Sequence, residues 1–363
     1  MPRATTATFH SDAVRHNLGE VRRRAPGSRV MAMVKADGYG HGLERVVRAL
    51  PDADAFGVAS LEDVARIRAL GLAQPVLLLS GFDAAEDLAQ LRQLRADSVI
   101  HHASQLEMLE QCDGGAPIRC WLKVDSGMHR LGFAPADVRD AHARLAALPQ
   151  VAEIVLMTHF ASSDEFAASG TRNCDQTRRQ LRTFAEATAG LPGARSLANS
   201  TAVLGWPQAH ADWVRPGGAL YGMSVVAGRP GPEFGLRPAM TFSARLIAVN
   251  RIARGERIGY SATWECPEDM PVGVAAAGYG DGYPRHAPSG TPVLVNGRQA
   301  ATVGRVSMDL MAIDLRTQPD ARPGDPVVLW GEGLPVDTVA AAAGTIGYQL
   351  TCGIAGRVRR REG

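Results

Sequence analysis

Over the first two thirds of the chain, apolar residues gather in short runs closed by turn residues. These are VMAMVK (30–35), AFGVAS (55–60), VLLLS (76–80), DSVIHH (97–102), IRCWLKVD (118–125), AEIVLMTHF (152–160), RSLANS (195–200) and ADWVRPG (211–217). Runs of this length bounded by turn signals read as buried strands. Between them, Leu, Ile and Val recur at helical spacing among Arg and Glu, as in SLEDVARIRAL (60–70), where Ser60 is placed to cap, and ASQLEMLEQC (103–112). Strand and helix alternating eight times predict an α/β fold, a (βα)8 TIM-type barrel rather than an open sheet.

After about residue 236 the pattern changes. MTFSARLIAV (240–249), VGVAAAG (272–278), TPVLV (291–295) and DPVVLW (325–330) follow one another with Gly and Pro turns and little helix. A C-terminal mainly-β domain is expected over 236–363, after a barrel over 1–235, with the boundary in the stretch AGRPGPEFGLRP (227–238). The final RVRRREG reads as a frayed, solvated tail.

Composition narrows the function classes. The chain has 363 residues, enough for two domains with sizeable cores, and a formal net charge of +2, so no electrostatic field argues for nucleic acid or an anionic membrane. Its partner is expected to be a small molecule. The five cysteines are odd in number and form no CxxC pair, which predicts neither a disulfide framework nor a metal site. Residues 1–20 carry no apolar signal core and no stretch reaches the roughly 18 apolar residues of a membrane span, so a cytoplasmic protein is expected.

The polar residues that close the runs carry the chemistry. In a (βα)8 barrel, functional groups sit at the C-terminal ends of the strands. Lys35 closes the first run, Lys123 and Asp125 the fifth, His159 the sixth, Asn199 and Ser200 the seventh, and Arg215 the eighth. Five strand ends would then converge on one rim.

VKADGYGHG (34–42) resembles the cofactor-attachment motif of the alanine racemase family, whose members depend on pyridoxal 5′-phosphate (PLP). Further similar segments follow in order: KVDSGMHRLGF (123–133), THFASSDE (158–165), ANS (198–200), VRPGGALYG (214–222), IGYSATW (258–264), AAAGYGDGYPR (275–285), GRVSMD (304–309) and GTIGYQLTC (344–352). The resemblance implies interconversion of L- and D-alanine by two bases, with PLP joined to Lys35 as a Schiff base. It implies that Tyr39, Ser200, Gly217, Gly218 and Tyr348 surround the phosphate, with His159 and Asn199 completing the cofactor site. Arg215 would face the pyridine nitrogen, where a guanidinium donates and disfavours protonation. Lys35 would serve D-alanine and Tyr260 L-alanine, and His159 and Arg215 would help bring the phenol's pKa down from about 10. Arg130 and the backbone of Met308 would hold the substrate carboxylate.

The same resemblance implies a homodimer with Tyr260 and Met308 contributed across the interface, and a carbamate on Lys123 holding Arg130. This sequence departs from the family pattern at Gly218, where a bulkier aliphatic residue is usual, at His129, where Gly is common, and at Ser126 and Ser307. His41 reads as structural and Asp309 as a residue that orients a loop. Three other readings compete: a racemase of broader specificity, a non-catalytic PLP-carrying barrel, and a fold-related decarboxylase. The second domain argues against the carrier, and Arg215 against the decarboxylase.

Overall fold

A computed structural model describes residues 5–112, 114–165, 174–224, 226 and 228–363. The chain divides into two compact units, Leu18–Leu220 and Met1–Asn17 with Tyr221–Gly363.

In the first unit, eight strands close a parallel barrel in sequence order. With β1 (Thr6–Phe9) belonging to the other unit, they are β2 (Arg29–Met33), β3 (Ala55–Val58), β4 (Val76–Leu78), β5 (Asp97–Ile100), β6 (Ile118–Lys123), β7 (Val151–Met157), β8 (Ala194–Ser196) and β9 (Trp213–Val214). The barrel closes where Arg29 pairs with Trp213 and Val30 with Val214. All eight predicted runs hold a strand, and each strand stops before its run does, so the polar residues fall at the end of the ladder, as Lys123 does, or just beyond it. Helices follow the strands as their spacing requires; Ser60 Oγ accepts the Asp63 N–H at 3.2 Å and caps the helix Leu61–Ala69.

Strand alternation builds the barrel core. Met31, Met33, Ala55, Leu77, Val99, Trp121, Val155, Met157 and Trp213 pack together inside, with the Trp121 and Trp213 rings 5.6 Å apart. Side chains two residues apart share a face of a strand. Continued past the strand ends, the inward set therefore leads to Lys35, His101, Lys123, His159 and Arg215.

The second unit is mainly β. Its strands are β1 with β10 (Met240–Ile252), β11 (Arg257–Ile258), β12 (Trp264–Glu265), β13 (Met270–Ala275), β14 (Pro292–Val295), β15 (Arg298–Val303), β16 (Met311–Asp314), β17 (Pro326–Trp330) and β18 (Arg359–Glu362). Eight of them form one sheet in the order β13-β16-β15-β14-β17-β10-β1-β18, and β10 also pairs with β13. On this sheet the Phe242 and Trp330 rings pack at a tilt with centroids 4.5 Å apart, and Tyr283 stacks on Trp330 at 6.1 Å.

Two sequence expectations differ from what is found. Residues 1–17, expected in the barrel domain, group with the C-terminal unit because β1 runs antiparallel to β10 and parallel to β18. The terminal RVRRREG, expected to fray, supplies β18, whose backbone pairs from Arg359 to Glu362 while Arg359, Arg361 and Glu362 remain exposed. Among the described residues, no helix is long and apolar enough to cross a membrane.

Candidate active site

Lys35 follows β2 and opens an unusual turn. Ala36, Asp37 and Tyr39 all hold left-handed backbone, with φ of 53°, 54° and 53°, around Gly38 at 61°. A left-handed residue other than Gly costs about 1–2 kcal/mol, so three in one turn require external support. Asp37 supplies it: its Oδ1 accepts the Leu43 N–H at 3.0 Å and the Arg66 Nη2 at 2.8 Å, and Arg66 also binds Glu44 and Asp63. His41 is structural as expected, buried with Nδ1 2.9 Å from the Tyr39 carbonyl.

The turn delivers the Tyr39 hydroxyl to Gly217. A Cβ on Gly217 would lie 2.5 Å from Tyr39 Oη, so only glycine permits this approach. Ser200, buried at the start of the helix Ser200–Gly205, accepts the Gly217 N–H at 2.8 Å and the Ala219 N–H at 3.2 Å. With both contacts accepted, its hydroxyl hydrogen is the remaining donor. Gly218 is buried between the two tethered residues. Asn199 caps the helix, its Oδ1 accepting the Ala202 N–H at 3.0 Å.

Arg215 lies almost wholly inside the protein. Its Nη1 donates to Ser196 Oγ at 2.6 Å and its Nη2 to the carbonyls of Thr158 at 2.6 Å and Leu197 at 3.4 Å. Burial lowers its pKa to about 10, which leaves the guanidinium charged at neutral pH. His159 is driven well below its ordinary value, first by burial and then by Arg215, Arg130, Lys123 and Lys35, so it is neutral there. Lys123 is buried, and desolvation with Arg130, Arg215 and Lys35 lowers its ammonium to about 8, against a smaller opposing pull from Asp125.

Arg130 is exposed on a loop held by Asp125, whose Oδ1 accepts the N–H groups of Gly127, Met128 and His129, each at 3.0 Å. His129 is left-handed at φ 56°, and its Nδ1 lies 3.2 Å from Asp125 Oδ2.

His101 was missed by the sequence reading. It stands two residues beyond inward Val99, and β5 pairs Ile100 with Leu122, so it lies beside Lys123 in register. Its Nε2 meets the Ser80 carbonyl at 2.9 Å, which makes Nε2 the protonated nitrogen; burial, above all, lowers its pKa. The signal was the two-residue alternation that also marks Lys123 and His159.

Lys35, Tyr39, Lys123, Arg130, His159, Asn199, Ser200, Arg215, Gly217 and Gly218 thus belong to one unit, and Tyr260, Met308 and Tyr348 to the other. Tyr348 stands on the short helix Gly347–Cys352. Tyr260 and Met308 are 65% and 52% exposed, with Tyr279 and Leu310 also exposed in the same unit.

The comparisons with known proteins decide the family. Residues 9–225 match the model of the alanine racemase N-terminal domain and residues 239–362 that of the C-terminal domain. The chain belongs to the alanine racemase family. It is 52% identical over 356 residues to an alanine racemase of Nitrosococcus oceani, covering 98% of both chains. It is 49% identical to one of Halorhodospira halophila, covering 99% of this chain and 98% of that one. A crystal structure of biosynthetic alanine racemase from Pseudomonas aeruginosa superposes with a TM-score of 0.95 at 49% identity, covering 99% of both chains. Alanine racemase from Acinetobacter baumannii gives 0.90 at 37% identity, covering 99% of this chain and all of the other.

The donor set fits the family's PLP. Lys35, Lys123, Arg130 and Arg215 gather with Asp125 as the opposing charge, which suits a cofactor bearing a phosphate and a substrate bearing a carboxylate. The gap that a Gly217 Cβ would fill lets backbone and the Tyr39 hydroxyl close on the same small volume.

Proposed function

We propose that this protein interconverts L-alanine and D-alanine with PLP attached at Lys35. The observation that carries this reading is the convergence of Lys35, Lys123, His159 and Arg215 on the inward side of the barrel at its C-terminal rim. When bound, PLP supplies an electron sink for the negative charge left at Cα.

The chain's own groups do the rest. Tyr39, Ser200 and the Gly217–Gly218 turn would hold the phosphate, and Asn199 keeps Ser200 in place as the helix cap. Arg215, fixed by three acceptors, would hold the pyridine nitrogen of the bound cofactor with a permanent cation that disfavours its protonation. That limits charge withdrawal into the ring and directs the chemistry toward proton exchange. Lys35 Nζ removes or returns the Cα proton on one face and Tyr260 Oη on the other. Neutral His159 and charged Arg215 form the polar surroundings that the phenol would meet.

Arg130 and the Met308 N–H receive the substrate carboxylate. A carbamate on Lys123 is part of the reading: an ammonium titrating near 8 exposes a usable fraction of free amine at neutral pH. That amine forms an N–C bond with carbon dioxide and releases a proton to solvent, placing a negative charge beside Arg130.

The active species is a homodimer in which Tyr260 and Met308 reach the site of the other subunit; their exposure beside Tyr279 and Leu310 supports this. The reaction is assigned to the cytoplasm, where D-alanine would feed peptidoglycan synthesis or return to L-alanine.

The test is L-alanine in deuterium oxide, with L-serine and L-lysine alongside, following chirality and Cα deuteration. D-Alanine carrying solvent deuterium is the expected product; turnover of another amino acid instead would move the substrate, and no exchange on any of them would end the reading. Gly217→Ala should weaken PLP binding by roughly tenfold and cost about 1–3 kcal/mol, since the added methyl displaces Tyr39. Spectrophotometric titration of the apoprotein checks it, and unchanged affinity would remove Tyr39 and Gly217 from the phosphate site.

A further inference from the structure

We propose that Arg357 is a positioning residue for substrate carboxylate recognition, holding the Ser307–Asp309 loop so that the Met308 N–H is presented outward. The inference rests on the assignment of Met308 made above. It comes from three segments far apart in sequence: the turn 278–282, the loop 307–309 and Arg357 near the C-terminal end.

The turn and the loop pack backbone against backbone. Tyr279 N–H donates to the Ser307 carbonyl at 3.1 Å and Gly280 N–H to the Met308 carbonyl at 2.9 Å. Glycine is required for that contact: a Cβ on Gly278 would lie 2.2 Å from the Ser307 oxygen. Peptide N–H and C=O point opposite ways across a trans bond. With the Ser307 carbonyl tied inward to Tyr279, the Met308 N–H therefore aims away from the turn. Among the described residues, it donates to no other backbone group.

Arg357 locks this arrangement. Its Nε donates to Asp281 Oδ1 at 2.9 Å, and its Nη2 donates to Asp309 Oδ1 at 2.8 Å and to the Met308 carbonyl at 3.3 Å. Asp281 is fully buried and also accepts the Gly278 N–H at 3.1 Å, so the guanidinium is anchored from within the turn it braces. Position and charge act together. Without Arg357, the Met308 carbonyl loses a donor, and two carboxylates stand uncompensated by this cation near the N–H that receives an anion. Lysine keeps the charge but cannot span three acceptors with a rigid fork.

The test uses the dimeric holoenzyme and compares Arg357→Met, Arg357→Lys and Asp309→Asn. Arg357→Met should raise KM for alanine by about tenfold in both directions, with kcat changed less than about threefold. Ki for sodium propionate, a carboxylate that cannot react, should rise by the same factor. Arg357→Lys should fall between, and Asp309→Asn, which keeps an acceptor but loses the ion pair to Arg357, should raise KM by a smaller factor than Arg357→Met. Thermal midpoint and sedimentation are read on every variant. Unchanged KM and Ki in both Arg357 variants overturns the proposal, as does a change that only follows loss of folded dimer. If Arg357→Met does not fold, Arg357→Lys alone decides by the shift in KM and Ki. Absence of exchange on alanine by the unsubstituted protein would overturn the alanine reading itself, a result distinct from any of these.

Discussion

Lys35→Ala should racemise alanine at least about 10⁴-fold more slowly than the unsubstituted protein, and should lose its cofactor on dialysis. Two functions disappear together, the covalent anchor and one of the two proton-transfer groups, and the second alone contributes about 10²–10⁴. The fold should not suffer. Lys35 precedes the left-handed turn, whose support comes from Asp37 and Arg66, and it is one of the cations that lower Lys123 and His159. Removing it lifts one repulsive charge from Lys123 and His159, so the thermal midpoint of the apoprotein should shift by only a few degrees. Loss of Lys35 should also raise the Lys123 pKa from about 8, because one of the charges disfavouring its ammonium is gone. Retention of PLP through dialysis, or a rate within tenfold of the original, would show that Lys35 is not the attachment site.

Tyr260→Phe is the sharper test of the second base. The substitution deletes one oxygen from a side chain that is 65% exposed within its own subunit, so the stability of the subunit itself should change by less than about 0.5 kcal/mol. The turn that carries it is held independently of the phenol: Ser261 and Ala262 are left-handed at φ 63° and 48°, and Arg305 Nη1 binds Ser261 Oγ at 3.0 Å. Racemisation should fall by roughly 10²–10⁴. Exchange should become one-sided, with D-alanine still exchanging its Cα proton through Lys35 and L-alanine ceasing to. Following deuterium incorporation into each enantiomer separately checks this. Equal loss from both enantiomers would mean that Tyr260 does not serve one face, and undiminished racemisation would remove it from the mechanism.

Much of the first unit could be read in advance because its strands are buried on both faces. Such strands appear as continuous apolar runs, and the polar residue ending each run is the one that reaches the rim. Lys35, Lys123, His159 and Arg215 were found that way. His101 was not, because the run DSVIHH ends in two histidines and only the inward direction of Val99 distinguishes them. The left-handed turn after Lys35 was equally hidden. Ala and Tyr do not favour that backbone, and the support for the turn comes from Arg66, a residue on another helix.

By itself, the sequence determined the alternation of elements, the change to a β-rich second unit, the rim residues and, through its ordered motifs, the family. Those are local properties, carried by periodicity and by residue type at fixed spacing. Only the tertiary structure decided that Thr6–Phe9 and Arg359–Glu362 share a sheet, that Gly217 and Tyr39 touch, and that Arg357 braces the Met308 loop through buried Asp281. These are contacts between residues dozens to hundreds of positions apart. Which partner each group finds depends on closure of the whole chain, and no local window of sequence contains it.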